Sequence, residues 1–113
     1  MPVRRGEIWW ANLGKPQGYE QALERPVVVV QTDQLNDLST TVVVPLTSRS
    51  HHAGLATTVT LATSDTGFTT DQYALCLHLR VLDQRKMTRR LGQVSPPKLS
   101  EIEATVAFVL GLP

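Results

Sequence analysis

Two short stretches of this chain hold side chains whose types could do chemistry together. Glu20 and Arg25 lie in and just after the segment Gly18-Tyr19-Glu20-Gln21, and Thr47, Ser48 and Arg49 follow an apolar run that ends at Leu46. Pro26 fixes its own backbone and biases Arg25, the residue before it, towards an extended conformation. Val27 to Val30 follow, β-branched and suited to a strand. A planar, permanently charged guanidinium is thus mounted at the mouth of a stiff strand, a good position from which to hold a phosphate or carboxylate. An acid or base, a guanidinium and hydroxyls, if gathered at one point, suit cleavage of a phosphodiester in RNA. There the neighbouring 2′-hydroxyl supplies the nucleophile, and the protein has only to position the chain, stabilise charge and move protons. The competing explanation of Arg25 is an ordinary ion pair with an adjacent acid such as Glu24.

Gathering these residues requires elements that bend. Glu7 to Leu13 reads as a first strand whose adjacent tryptophans, Trp9 and Trp10, point to opposite faces, one for the core and one for a groove or partner. A loop from Gly14 to Glu24 leads into the central strand, Pro26 to about Thr32, whose continuous apolar run predicts burial on both faces. Asp33 to Asp37 reads as a single helical turn. Thr41 to Leu46 is a third strand, with Pro45 indicating an edge or a bulge. Thr57 to Ala62 alternates as a half-buried strand does, and Thr63 to Asp71 is a turn-rich link around Gly67. Tyr73 to Asp83 reads as one long strand, with Leu75, Leu77, Leu79 and Val81 on the face of Tyr73 and His78 on the other. A basic turn at Arg85 and Lys86, with Arg89 and Arg90, precedes a last strand near Leu91 to Val94. The end is a helix: Ser95 as N-cap, proline in the first turn, Gly111 as the stop, and Leu99, Ile102, Val106, Val109 and Leu110 as the apolar face. Many short strands and one terminal helix predict a mainly β domain, a small, strongly bent sheet or partly open barrel.

At 113 residues the chain suits a single domain, 1–113; 42% hydrophobic and 19% charged residues fit a globular fold and argue against disorder. No stretch approaches the roughly 18 apolar residues of a membrane span, and the start lacks the apolar core of an export signal. One cysteine, Cys76, in an apolar run reads as a buried thiol in a reducing cytoplasm. A net charge of +1 means that contact with nucleic acid must come from local patches. His51 and His52 have no acid or cysteine at ligand spacing, so no metal site is expected, and there is neither a phosphate-cradling glycine loop nor a Gly-x-Ser-x-Gly elbow.

In order and spacing, several segments resemble the MazF/PemK toxins of bacterial toxin–antitoxin pairs: Arg5-Gly6-Glu7-Ile8-Trp9-Trp10, Gly18-Tyr19-Glu20-Gln21, Arg25 to Gln31, Val44-Pro45-Leu46-Thr47-Ser48, Leu79-Arg80-Val81-Leu82-Asp83 and Leu91-Gly92-Gln93-Val94-Ser95. The resemblance spans nearly the whole chain. It implies an SH3-like barrel with a C-terminal helix, a homodimer and a cognate MazE-like antitoxin. It also implies a metal-independent, cofactor-free endoribonuclease that cuts single-stranded mRNA to 2′,3′-cyclic phosphate and 5′-hydroxyl ends. The family's essential arginine falls on Arg25, its essential threonine on Thr47 and its first-loop acid on Glu20. Tyr19 replaces a usual serine, and Leu77-His78 replaces a usual acid–glutamine pair.

On this reading Arg25 stabilises the pentavalent phosphorane by a bidentate contact and Thr47 donates its hydroxyl to a phosphate oxygen. Glu20 is the general base, with the imidazole of His78 as the alternative. Gln21, Ser48, Arg49 and His78 contact RNA. The rival from another class is a toxin of the same fold that grips a protein such as DNA gyrase through a tryptophan on its terminal helix. Ser95 to Pro113 contains no tryptophan, which favours the ribonuclease.

Overall fold

The computed structural model describes residues 2–15 and 23–113. Seven strands lie among them: β1 (Glu7–Asn12), β2 (Glu24–Val29), β3 (Thr40–Thr47), β4 (Thr58–Leu61), β5 (Gln72–Leu75), β6 (Arg80–Asp83) and β7 (Met87–Gln93). A one-turn helix, α1 (Thr63–Thr66), follows β4, and a long one, α2 (Pro96–Leu110), ends the fold. All pairings are antiparallel, in the order β4-β5-β3-β2-β1-β7, with β6 also on β3. The path ends at β4 and β7 without joining them. The expected barrel is therefore an open, bent sheet with a C-terminal helix.

The valine run behaves as expected, and its alternation shows why. Val28 packs with Ile8, Val44, Leu46 and Ile102 on one face of the sheet, while Val27 and Val29 pack with Ala11, Val43, Leu82 and Met87 on the other. All three valines are fully buried. Burying a valine side chain contributes about 1.5–3 kcal/mol, so these two small cores are what hold β2 in place. The strand itself is offset from the expected span, running Glu24–Val29, because the N–H groups of Val30 and Gln31 both turn to the carbonyl of Val42.

The long strand expected from Tyr73 to Asp83 does not form. It divides into β5 and β6 around a 3-10 turn at Cys76–His78. Both pieces pair with β3, but the register slips by three residues between Leu46↔Ala74 and Val43↔Arg80. The turn absorbs those three residues where β3 changes partner. The two-face pattern breaks with it: Cys76 is buried, Leu77 and Val81 are exposed, and His78 sits on the turn. Pro45 is not at an edge, since β3 is interior. It lies between the segment of β3 held by β6 and the segment held by β5, where no ladder hydrogen bond to either is formed.

The last strand is longer than expected because Thr88, Arg89 and Arg90, whose side chains are exposed, continue the ladder on β1. The terminal helix has the expected extent. Leu99, Ile102, Val106 and Val109 pack on the core, but Leu110 is exposed at its end. Ser95 is at the N-cap position without capping; its hydroxyl instead donates to Asp65 at 2.8 Å, tying α2 to α1. Gly6 is required for its conformation, with φ +88°, and a Cβ there would meet Leu99 Cδ2 at 3.2 Å. Among the described residues no helix is long and apolar enough to cross a membrane.

Candidate functional site

The register of β2 against β3 builds the site. Val27 pairs with Pro45, Val28 with Val44 and Val29 with Val43. Carried two residues beyond Val27, the same antiparallel register sets Arg25 opposite Thr47. A hydrogen-bonded strand pair positions residues more rigidly than loops do, and both residues belong to strands: Arg25 to β2, where it pairs with Ala11, and Thr47 to β3, where it pairs with Tyr73. The chain then leaves β3 through Ser48 and Arg49. Together Arg25, Thr47, Ser48 and Arg49 line an open groove of about 270 Å³. Trp10, Glu24, Pro26, Leu46 and Gln72 complete its lining. Arg25 therefore meets the stretch Thr47 to Arg49 that the sequence singled out.

Thr47 is almost wholly buried within this groove. Its Oγ1 accepts the Arg49 N–H at 3.3 Å, which orients the hydroxyl. The hydroxyl proton has no acceptor among the described residues and can be donated into the groove. Arg25 is half-buried; burial foremost, and then the charge of Arg49, lower its pKa from the ordinary arginine value. Both causes disfavour the cation in isolation and both are relieved by an anion placed between the two guanidiniums. A perturbed cation in a concave site beside an oriented hydroxyl marks a candidate functional site.

Glu20 and Gln21 lie outside the described residues. Among the described residues on either side of them, the Leu13 N–H donates to the Leu23 carbonyl at 2.8 Å and the Leu23 N–H to the Gly14 carbonyl at 2.6 Å. Leu23 has φ +61°, a left-handed conformation that costs a non-glycine residue about 1–2 kcal/mol, immediately before Glu24 and Arg25.

His78 does not line the Arg25 groove. It faces His52 across a neighbouring pocket of about 200 Å³ floored by Leu55, Leu75 and Leu77. The His51 and His52 rings are 4.1 Å apart. Burial, then the charges of His51, His78 and Arg49, push the His52 pKa down, so Arg49 links the two concavities. Among the described residues no three His, Cys, Asp or Glu side chains are grouped to hold a metal ion. Cys76 is buried in the first core and its thiol is pushed up to about 11 by burial, which makes it unreactive.

Sequence reasoning left one of the two adjacent tryptophans for a groove or a partner without saying which, and it is Trp10 that lines the groove. The signal was present: adjacent tryptophans on a strand must face opposite ways. Trp9 packs on the second core and donates its Nε1–H to Glu7 at 3.1 Å, leaving Trp10 to the groove.

Residues 4–110 match the sequence model of the PemK-like, MazF-like toxins of type II toxin–antitoxin systems. An endoribonuclease MazF of Staphylococcus saprophyticus is 34% identical over 111 residues, covering 97% of this chain and 92% of the relative. In fold, the MazF of Deinococcus radiodurans aligns with a TM-score of 0.84 at 24% identity over 99% of both chains. An endoribonuclease from a mycobacterial species, solved in complex with its cognate antitoxin, aligns at 0.81 and 25% identity, over 98% of this chain and 97% of the other.

Proposed function

The chain belongs to the PemK-like, MazF-like toxin family of type II toxin–antitoxin systems, and on that premise we propose that it is a metal-independent endoribonuclease acting on single-stranded RNA. The observation that carries the reading is the meeting of Arg25, Thr47 and Arg49 in one groove, where they present two guanidiniums and an oriented hydroxyl.

The reaction divides among these groups. A 2′-hydroxyl attacks the adjacent phosphorus and gives its proton to a base. Charge gathers on the non-bridging oxygens of the phosphorane, where Arg25 makes two parallel hydrogen bonds and Thr47 makes one. The bond to the 5′-oxygen then breaks and that oxygen takes up a proton from water, leaving a 2′,3′-cyclic phosphate and a 5′-hydroxyl. Glu20 is the base on the strength of the resemblance. His78, which lines the adjoining pocket, contacts a flanking nucleotide, as do Ser48, Arg49 and Gln21. The nucleophile belongs to the substrate, so the scheme requires no metal.

A cognate antitoxin neutralises the enzyme by covering the Arg25 groove with carboxylates that imitate phosphate oxygens. The enzyme is a homodimer. Phe108, Leu110 and Leu112 are exposed at the end of α2, beside a groove of about 400 Å³ lined by Val30, Val42 and Leu79, more apolar surface than a lone small domain needs to leave in water. The test is incubation of purified protein with RNA in excess chelator, followed by analysis of the new ends. Cyclic phosphate and 5′-hydroxyl ends are expected; intact RNA, or cleavage that stops with chelator, refutes the scheme.

A further inference from the structure

The basic residues near the end of the chain are not equivalent. Arg85 is paired with Asp83 at 2.8 Å, and Arg90 with Glu7 at 2.8 Å. Arg89 is exposed and makes no hydrogen bond or ion pair to any described residue. Register explains the difference. Arg90 pairs with Trp9, on the face where Glu7 binds both of them. Arg89 pairs with Trp10, so its side chain stands on the opposite face, beside the tryptophan that lines the Arg25 groove. Trp10 is held in place from both sides: β2 sets Pro26 against it, and on β7 the Thr88 hydroxyl donates to its carbonyl at 3.3 Å.

We propose that Trp10 and Arg89 form a further nucleotide subsite, a shelf that extends the Arg25 groove across β1 onto β7 and takes one base and one phosphate of single-stranded RNA. The half-buried indole of Trp10 offers a face for a base to stack on, and Arg89 supplies a cation for a phosphate that the central arginines do not reach. Stacking platforms alternating with cations along a groove are how single strands are held. The shelf rests on the ribonuclease reading for its ligand and adds a direction to it: the strand leaves the scissile phosphate over Trp10, on the side away from His52 and His78.

The experiment uses a single-stranded RNA that the parent protein cleaves, and the same RNA with a 2′-deoxy residue at the cut site for binding. Arg89→Gln lowers the magnitude of the slope of log affinity against log salt by about 0.7, the contribution of one phosphate contact on a single strand. Trp10→Ala weakens binding roughly 5- to 150-fold, the range for loss of one stacked base, and Trp10→Phe, which keeps an aromatic face, restores most of it. When the RNA is shortened one nucleotide at a time from each end, the parent loses affinity at one step on one side, and both Arg89→Gln and Trp10→Ala abolish that step. If the parent cleaves but the variants keep its salt slope and length profile, the shelf is refuted and the ribonuclease stands. It is equally refuted if the variants lose only inhibition by an acidic antitoxin segment, which would assign the surface to a protein. If the parent neither cleaves nor binds RNA, both fall.

Discussion

Replacing Arg25 separates two ways in which a cation could help this site. Thr47 and Arg25 line one groove, and in the proposed mechanism both contact the same phosphate. If Arg25 stabilises the phosphorane, Arg25→Ala lowers kcat about 10²- to 10³-fold, or about 2.7–4 kcal/mol, as for removal of an oxyanion donor. Arg25→Lys keeps the charge but not the planar fork and recovers little of this loss. Thr47→Val removes one hydroxyl donor to a charged oxygen, worth about 1.5–3 kcal/mol, or roughly a 10- to 150-fold loss. Thr47→Ser retains both the donated proton and the acceptor for the Arg49 N–H, and keeps most of the rate.

Acting independently, the two losses would multiply to on the order of 10³ to 10⁵ in Arg25→Ala/Thr47→Val. Groups that stabilise the same charged phosphorane are coupled, so the double variant is less impaired than that product. The assay is single-turnover cleavage of an end-labelled RNA under saturating protein, which reports the chemical step rather than binding. Near-parental cleavage by Arg25→Lys would show that point charge suffices and would sink the bidentate role. Strict multiplicativity in the double variant would separate the two residues' targets.

Three further outcomes follow from the packing and the electrostatics. Ile102→Ala, at a fully buried position of α2, lowers unfolding free energy by about 2–5 kcal/mol, measured by denaturant titration; a loss below 1 kcal/mol would mean that α2 does not seal the core. Gly6→Ala, at φ +88° with Leu99 Cδ2 at 3.2 Å from the added Cβ, costs about 1–2 kcal/mol for the conformation alone, and an unchanged denaturation midpoint would contradict it. His52 titrates below the ordinary value of about 6.5, because burial and then His51, His78 and Arg49 oppose its protonation. The stability tied to its neutral form is therefore complete above pH about 6.5 and is lost as pH falls through the depressed pKa. Imidazole NMR checks this, and an RNA phosphate drawn to Arg49 should move the titration back upward.

Much of the fold was legible because its signals are local. Stiff β-branched runs, a proline-headed helix and the glycine stops report on their own segments, and β4 and α2 lie where those signals put them, while β2 holds the valine run but starts and ends earlier than expected. Tyr73 to Asp83 failed for a reason that no local signal carries. Its alternation is compatible with an unbroken strand, but β3 changes partner at Pro45, and the opposing chain must insert three residues to follow. Pro45 pointed to an irregularity and could not say on which strand it would be absorbed. Likewise Ser95 has the right type and position for a cap, yet Asp65, 30 residues earlier in the chain, takes its hydroxyl.

The groove was legible only as a set of parts, and register is what assembles them. Arg25 and Thr47 are 22 positions apart in the chain, and nothing between them specifies a meeting until β2 and β3 pair. Once Val27 opposes Pro45, the geometry two residues further on follows from strand periodicity alone. A slip of one residue would turn Val28 and Val44 out of the first core and Val27 and Val29 out of the second. The hydrophobic cost of that slip fixes the positions of Arg25 and Thr47, so core and candidate site are set by one alignment. The same logic reaches β7: the alignment that places Trp9 and Arg90 with Glu7 leaves Trp10 and Arg89 on the groove side. Arginines one residue apart therefore differ in their partners because they belong to different faces.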